Sequence, residues 1–375
     1  MKILISAGEA SGDLYAAELA KRLRARRPKI ELFGCAGPRM AEAGVRRVVD
    51  ASSLAVVGLV EILRHIPRIH REYRKLIAAA RRERPRLAIL TDNPGFHLRV
   101  ARALHREGIP VVQLVAPQVW AWRRWRLRRL RRDVKKLLCI FPFEERFFRE
   151  RGVDAVYIGH PLSGLIAAHT PREEFRRRHG IPEDRPLVVL LPGSRRDEVA
   201  RHLPVVAGAA EQILQRRPTS FLLAAPPGAL ERWGGNFWEP ISRLAIQVIE
   251  GETWDAIAHA DLALAACGTV TVEAALLRTP MVTFYRVSPL TWRLGRLLVR
   301  VPYYSMVNLI AGEPVAAELV QERCTPESLA GEVQRLLEDP PAREAMKRNL
   351  EAVRAKLFSD ADPMETAAKL VEDLL

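Results

Sequence analysis

Cysteine is scarce and scattered in this chain. Cys35, Cys139, Cys267 and Cys324 stand far apart, with no Cys-x-x-Cys pair and no histidine cluster beside them. That argues against a disulfide framework or a zinc site and suits a reducing cytoplasm. Long apolar runs are also missing. No uncharged stretch reaches the roughly 18 residues needed to span a bilayer. The opening Met1–Asp13 lacks the apolar core and small-residue cleavage site of a secretory signal. Acidic residues are short in one part only. Residues 1–160 carry 34 basic and 16 acidic side chains, a balance of +18, whereas residues 161–375 carry 25 and 28, a balance of −3. The whole basic excess lies in the first part, which should meet a polyanion: nucleic acid, an anionic membrane face or a phosphorylated substrate. Apolar residues are not short. At 48% hydrophobic and 27% charged over 375 residues, disorder and fibrous repeats are poor guesses, and two domains are the natural expectation.

Short apolar runs alternate with amphipathic stretches. Lys2–Ala7, Glu31–Cys35, Leu87–Leu90, Val111–Val115, Leu137–Phe141 and Ala155–Ile158 read as strands. Pro171–Arg185 is polar, charged and bracketed by proline, as a linker would be. The pattern then restarts with Leu187–Leu191, Phe221–Ala225, Ile246–Ile249, Leu262–Ala266 and Met281–Phe284. Strands alternating with helices imply βαβ units and parallel sheets. The fold class is therefore α/β: two Rossmann-like, doubly wound domains in tandem, facing across a cleft. Ligands of such sheets bind beyond the carboxyl ends of the strands. The boundaries predicted are 1–165 and 166–344, with a C-terminal helix over about 345–375 packing back on the first domain or on a partner subunit.

Four turns could carry chemistry. Gly8-Glu9-Ala10-Ser11-Gly12-Asp13 follows the first strand and opens a helix, as an anion or sugar cradle would. It reads equally as a plain turn capped by Asp13 or Ser11. Asp92, in Thr91-Asp92-Asn93-Pro94-Gly95-Phe96, stands at a strand's carboxyl end, where a carboxylate can take a proton from a substrate hydroxyl. A turn aspartate stabilising its own loop is the plainer alternative. Gly193, Ser194 and Arg195 open the second domain in the equivalent place, with Glu198 one turn on, and Arg195 can grip phosphate oxygens. Cys267-Gly268-Thr269-Val270-Thr271-Val272-Glu273 suits a diphosphate, with Glu273 placed for ribose hydroxyls. It also resembles a capping box. Two cradles on one sheet favour a nucleotide.

Nine basic residues lie between Arg123 and Lys136, beside Trp120, Trp122 and Trp125. The mixture suits stacking on single-stranded nucleic acid or lying at an anionic bilayer surface. Tyr285–Tyr304 interleaves Leu290, Trp292, Leu294, Leu297, Leu298 and Val301 with Arg286, Arg293, Arg296 and Arg300. It reads as an interfacial helix or as a core helix with snorkelling arginine stems. His160, at the domain junction, reads as structural.

Taken together, these segments resemble the lipid-A-disaccharide synthase family, glycosyltransferase family 19 with a GT-B fold. The resemblance runs through the Gly8–Asp13 turn, Ala36–Met40, Val56–Leu63, Pro117–Arg123, Phe141–Glu144, Ile158–Pro161, Leu191–Val199, Cys267–Leu276, Asn308–Gly312 and Glu318–Gln321, in family order. It implies an inverting, metal-independent transfer without a cofactor. UDP-2,3-diacylglucosamine and 2,3-diacylglucosamine 1-phosphate (lipid X) would be joined into the β-1,6-linked tetraacyl disaccharide 1-phosphate, releasing UDP. It implies an enzyme in the cytoplasm, peripheral to the anionic inner-membrane surface, and a homodimer exchanging C-terminal segments. No nucleic acid is then needed. The family's essential aspartate falls on Asp92, while Gly95 and His97 replace the usual second acid and asparagine. Asn308, Glu318 and Gln321 are placed by resemblance near uridine or the diphosphate. Glu9, Ser11, Gly12 and Asp13 fall on the acceptor side, and Trp120, Trp122, Arg123, Trp125, Trp292, Arg293 and Arg296 at the membrane. The alternatives are another two-domain transferase or epimerase on a soluble UDP-sugar, or a nucleic-acid-binding protein using Arg123–Lys136.

Overall fold

The computed structural model describes residues 1–51, 59–299 and 301–375, with the backbone alone for 59–65, 294 and 297. The Val56–Leu63 motif and the side chains of Leu294, Leu297 and Arg300 lie outside the described residues. The chain divides into two compact units, Met1–Gly164 with Leu357–Leu375, and Leu165–Lys356.

The first unit is built on strands β1 (Lys2–Ala7), β2 (Glu31–Ala36), β3 (Arg46–Asp50), β4 (Leu87–Thr91), β5 (Val111–Leu114), β6 (Lys136–Cys139) and β7 (Ala155–Tyr157). Helices α1 (Ala10–Arg26), α2 (Pro38–Glu42), α3 (Leu59–Glu83), α4 (Pro94–Arg106), α5 (Leu127–Asp133) and α6 (Pro142–Arg149) connect them. The strand order is β3-β2-β1-β4-β5-β6-β7, and every pairing is parallel. The chain winds outward from β1 in one direction and from β4 in the other, so the switch point lies between them. There Ala7 pairs with Thr91. Residues Ile3–Ala7 and Leu87–Thr91 are wholly buried, because helices cover both sheet faces, which favours apolar side chains; Ser6 and Thr91 are the polar exceptions, next to the switch point.

The second unit repeats the plan with β8 (Leu187–Leu191), β9 (Ser220–Ala225), β10 (Gln247–Glu250), β11 (Leu262–Ala266), β12 (Met281–Tyr285) and β13 (Glu318–Val320). Its order is β10-β9-β8-β11-β12-β13, with the switch point between β8 and β11. The helices are α7 (Arg172–Arg178), α8 (Arg196–Arg216), α9 (Ala229–Trp233), α10 (Glu239–Ser242), α11 (Thr253–His259), α12 (Val270–Leu276), α13 (Pro289–Leu298), α14 (Met306–Ala311), α15 (Pro326–Glu338) and α16 (Pro340–Leu357). The stretch predicted as a linker is thus partly helix α7, packed within this unit. Phe175 is its fully buried anchor, and Arg172 donates to the His259 carbonyl at 2.9 Å. Glu173 and Glu174 begin it and Arg176–Arg178 end it, which complements the helix dipole.

The tail divides as well. Helix α16 remains with the second unit, and only α17 (Pro363–Glu372) returns to the first. It lies along α1, where Arg22 pairs with Asp362 at 2.9 Å and Arg27 with Glu372 at 2.8 Å. Its apolar face, Met364, Ala367, Ala368 and Val371, is fully buried. Replacing Met364 by alanine removes a buried side chain and should cost about 2–5 kcal/mol. Calorimetry should show a lower unfolding temperature, and an unchanged one would mean that α17 leaves α1 in solution.

Candidate active site

The first unit's switch point holds one carboxylate in an unusual setting. Beyond β4, Asp92 and Asn93 both take left-handed backbone, with φ of 55° and 31°. Short polar side chains tolerate that region better than others. Asn93 caps α4, its side chain accepting the Phe96 N–H at 3.3 Å. The reversal turns the Asp92 carboxylate toward the β1–α1 turn. Gly8 N–H donates to its Oδ1 at 2.9 Å, and Glu9 N–H to its Oδ2 at 3.1 Å. A Cβ on Gly12 would lie 1.6 Å from Asp92 Oδ2, and one on Gly8 would lie 2.7 Å from Asn93 Cβ. Both glycines are therefore needed for α1 to approach this closely.

The Asp92 side chain is 13% exposed. Burial, then the nearby Glu9 charge, lift its pKa well above the usual carboxylate range, while the Gly8 and Glu9 amides pull the other way. Below it, His97 is completely buried. Its Nδ1 lies 3.0 Å from the Asp92 carbonyl oxygen and its Nε2 2.7 Å from Ser6 Oγ. A carbonyl only accepts, so Nδ1 carries the proton and Nε2 accepts from the serine hydroxyl. Burial holds this imidazole neutral, its pKa lowered to about 4. Among the expected acceptor contacts, Glu9 is exposed and Ser11 half-buried beside Gly12. Asp13 has a different task. It is 4% exposed and accepts the N–H groups of Gly37, Arg39 and Met40 at 2.8–3.2 Å. That carboxylate caps α2 from below and is closed to a ligand.

In the second unit, Leu191 pairs with Ala265, which sets the Pro192–Arg195 loop and the Cys267–Thr269 turn side by side at the switch point. Gly193 has φ 125°. A Cβ there would meet Glu198 Oε2 at 2.5 Å, and Glu198 accepts the Ser194 N–H at 3.3 Å. Glu198 therefore braces the loop from beneath. Ser194, Arg195 and Thr269 are exposed, and Gly268 has open space where a side chain would be. Thr271 is buried, its hydroxyl donating to the Gly268 carbonyl at 2.8 Å, so it shapes the turn. Glu273 accepts the Trp254 indole N–H at 3.1 Å.

Three residues placed near the nucleotide by resemblance hold the framework of the second unit through internal hydrogen bonds. Asn308 Nδ2 donates to the Ala316 carbonyl and to Glu318, both at 2.9 Å, while its Oδ1 accepts from Val315 and Ala316 N–H. Its full hydrogen-bonding capacity is spent. Glu318 gathers Tyr304 N–H, Ser305 N–H and the Ser305 hydroxyl at the start of α14. Gln321 bonds both polar atoms of Val287, at 3.1 and 2.9 Å. A residue that the sequence did not single out ties the Pro192 loop to the chain just after β12. His202, fully buried in α8, has Nδ1 2.7 Å from the Pro192 carbonyl oxygen, and its Nε2 accepts the Arg286 N–H at 3.0 Å. Its signal is a histidine on the apolar face of an amphipathic helix.

The expected membrane residues separate. Trp120 is buried and donates its indole N–H to Glu144 at 3.0 Å, so it belongs to the core. Burial pushes Glu144 up to about 8. Trp122 is half-buried beneath Arg123, whose Cζ stands 4.0 Å from the ring centroid. Trp125 is 54% exposed. In α13, Leu290 and Leu298 are 69% and 60% exposed, Arg293 and Arg296 are exposed, and Trp292 packs on Tyr304 at 5.8 Å. No helix among the described residues is long and apolar enough to cross a membrane.

His160 is also wholly buried, its Nδ1 accepting the Leu162 N–H at 3.2 Å, and burial lowers its pKa to about 3. Both His97 and His160 are neutral when folded and gain a proton near pH 6.5 when unfolded. For these two groups the unfolded state then binds more protons, so their contribution to stability falls as pH drops from about 6.5 toward 4, while the raised Asp92 and Glu144 carboxyls contribute in the opposite sense. Thermal melts across that range should therefore show His97→Gln, which cannot titrate, losing less stability on acidification than the wild type. A slope unchanged in that variant would remove His97 as a source.

A family model described as lipid-A-disaccharide synthetase matches residues 3–370. The chain is 55% identical over 374 residues to a lipid-A-disaccharide synthase of Solibacter usitatus, covering 100% of this chain and 97% of that protein. It is 43% identical over 381 residues to one of Koribacter versatilis, covering 100% and 98%. Among solved structures it is similar to the glycotransferase of kitacinnamycin, with a TM-score of 0.66, 16% identity and coverage of 100% and 99%. That likeness carries the fold: two parallel-sheet domains of the GT-B type. With a switch-point carboxylate in one unit and an open glycine turn in the other, the chain belongs to the lipid-A-disaccharide synthase family of GT-B glycosyltransferases.

Proposed function

We propose that the protein condenses UDP-2,3-diacylglucosamine with 2,3-diacylglucosamine 1-phosphate, releasing UDP and the β-1,6-linked tetraacyl disaccharide 1-phosphate. The observation that carries this reading is the Asp92 carboxylate, partly exposed at the switch point and fixed by two backbone amides. Asp92 takes the proton of the acceptor 6-hydroxyl, and the oxygen attacks the donor's anomeric carbon in line, inverting it. The bond to UDP breaks, and the negative charge collects on its diphosphate. Arg195 and the amides from Gly268 to Thr269 stabilise that charge without a metal ion. Ser194 and Glu273 complete the donor side, Glu273 toward ribose. Glu9, Ser11 and Gly12 border the acceptor.

The same reading places the protein at the inner face of the cytoplasmic membrane, held from one side. In the first unit exposed Trp125 near Arg123, and in the second exposed Leu290 and Leu298 among Arg293 and Arg296, support it, since exposed apolar groups among arginines favour an anionic interface. A soluble UDP-sugar would need neither patch, and a nucleic-acid role would leave the second unit's open turn without a task. A homodimer exchanging α17 would preserve every α1–α17 contact and belongs to the same proposal.

Purified protein given both lipid substrates should form the tetraacyl disaccharide 1-phosphate, read by mass spectrometry. Asp92→Asn should remove nearly all turnover, on the order of 10²–10⁴-fold, yet leave UDP affinity almost unchanged. Equal loss of both would count against the base. Because the Asp92 pKa is raised, kcat/KM should climb with pH through an acid limb above the ordinary aspartate range near 3.9. Arg195→Ala should weaken UDP binding roughly tenfold or more, and an unaffected dissociation constant would take Arg195 out of the site.

A further inference from the structure

We propose that the trough between α3 and α4 seats the acylated, phosphorylated acceptor, its rim arginines taking the phosphate and its aromatic floor the first part of an acyl chain. This rests on the reading of Asp92 as base and adds where the substrate of that base lies.

The trough is a cavity of about 470 Å³ floored by Ile69, Tyr73 and Phe96. A second cavity of about 690 Å³ shares Tyr73, Ala103 and Arg106 with it and continues along the same helix pair. Arg99, Arg102 and Arg106 line one wall. Their spacing of three and four residues puts them on one face of α4. At 1.5 Å per residue, the wall from Phe96 to Arg106 runs about 15 Å. Arg129, from α5, adds a fourth guanidinium.

None of these four arginines has a carboxylate partner among the described residues. Other arginines of this unit are paired: Arg22 with Asp362, Arg27 with Glu372, and, in the second cavity, Arg81 with Glu107 at 2.7 Å. The charge of the four trough arginines is left open beside the floor. Uncompensated guanidinium groups over an apolar surface match a phosphate monoester on an acylated sugar, since guanidinium pairs bidentately with phosphate oxygens. Next to Arg129, Arg126 is only 7% exposed and also lacks a carboxylate partner among the described residues. It lies 5.8 Å from the Trp122 ring and 5.6 Å from that of Trp125. Burial and the charges of Arg123 and Arg129 bring its pKa down to about 10, a strain that a nearby anion relieves.

The floor also packs against the residues that support the Asp92 turn. His70 stacks on Tyr73 at 6.1 Å, Tyr73 meets Phe96 edge-on at 6.4 Å, and Phe96 meets His97 at 5.3 Å. His97 is the residue bonded to the Asp92 carbonyl. The trough thus starts about one helical turn from Asp92, at Phe96 in the first turn of α4, which sets an acceptor's acyl and phosphate groups on the same helix as the base.

The test is calorimetric binding by the full chain, with UDP absent, of short-chain 2,3-diacylglucosamine 1-phosphate and of the same lipid without its phosphate. The wild type should prefer the phosphorylated form by about tenfold or more. The double variant Arg99→Ala/Arg102→Ala should lose that preference while its UDP affinity changes less than about twofold. Both residues are exposed, so the fold should tolerate the change. Ala103→Trp, which fills the trough, should weaken both lipids. A preference that survives the double variant overturns the phosphate assignment. Displacement of the lipid by a single-stranded oligonucleotide overturns it in favour of nucleic acid. Binding is read apart from turnover, so arginine-dependent binding without disaccharide formation would keep the trough and discard the transferase reading.

Discussion

One contact organises the first unit: the Asp92 carboxylate bound by the Gly8 and Glu9 amides across the switch point. It ties the β1–α1 turn to the β4–α4 turn, where a doubly wound parallel sheet opens toward a ligand. Its cost is visible. Two successive non-glycine residues hold left-handed backbone, on the order of 1–3 kcal/mol each. A carboxylate is also brought close to full burial. Charge-assisted bonds from two amides offset part of that cost. The Asn93 cap and the buried His97 fix the backbone from below. A carboxylate so held is short of water, which with the Glu9 charge raises its proton affinity toward the range where a base is useful, while the two amides that orient it hold that rise back.

The second unit solves a similar problem by other means. Its two switch-point loops contain few groups that could hold themselves in place, so buried polar side chains do it for them. His202 spans the Pro192 carbonyl and the Arg286 amide. Glu198 sits under Gly193, Glu318 and Asn308 close the start of α14, and Gln321 clamps Val287. These groups are buried or half-buried and satisfied by backbone partners, as buried polar groups must be. Arg195, Ser194 and Thr269 stand exposed above them. A motif residue in such a loop is as often its scaffold as its contact with a ligand.

That distinction marks where the sequence stops being legible. The central strands were readable because burial on both faces demands unbroken apolar runs such as Leu187–Leu191. Strand β3 was not, since Arg46, Arg47 and Asp50 face solvent and only Val49 is fully buried. The three-residue β13 was too short to register. Helix α7 hid behind a single apolar anchor. Asp92 could be placed at a strand end, but its grip on β1's turn depends on a pairing 84 residues away in sequence. Asp13 and Trp120 looked like ligand and membrane groups because both residue types serve those roles at surfaces. Their true partners, the amides of α2 and the carboxyl of Glu144, are tertiary.

The charge asymmetry gains meaning when its members are sorted by partner. On α1, arginines are consumed by the acids of α17. They hold the returning tail and leave little field behind. Arg99, Arg102 and Arg106 of α4 and Arg129 of α5 line an aromatic-floored trough without carboxylate partners among the described residues, whereas Arg132 of α5 is taken up by Asp133. The balance of +18 therefore includes two populations: one structural and neutralised locally, the other unspent and lining the trough. Only the second can act on an anionic substrate, because a paired guanidinium has already given up most of its field. Composition counts both alike, and the fold separates them.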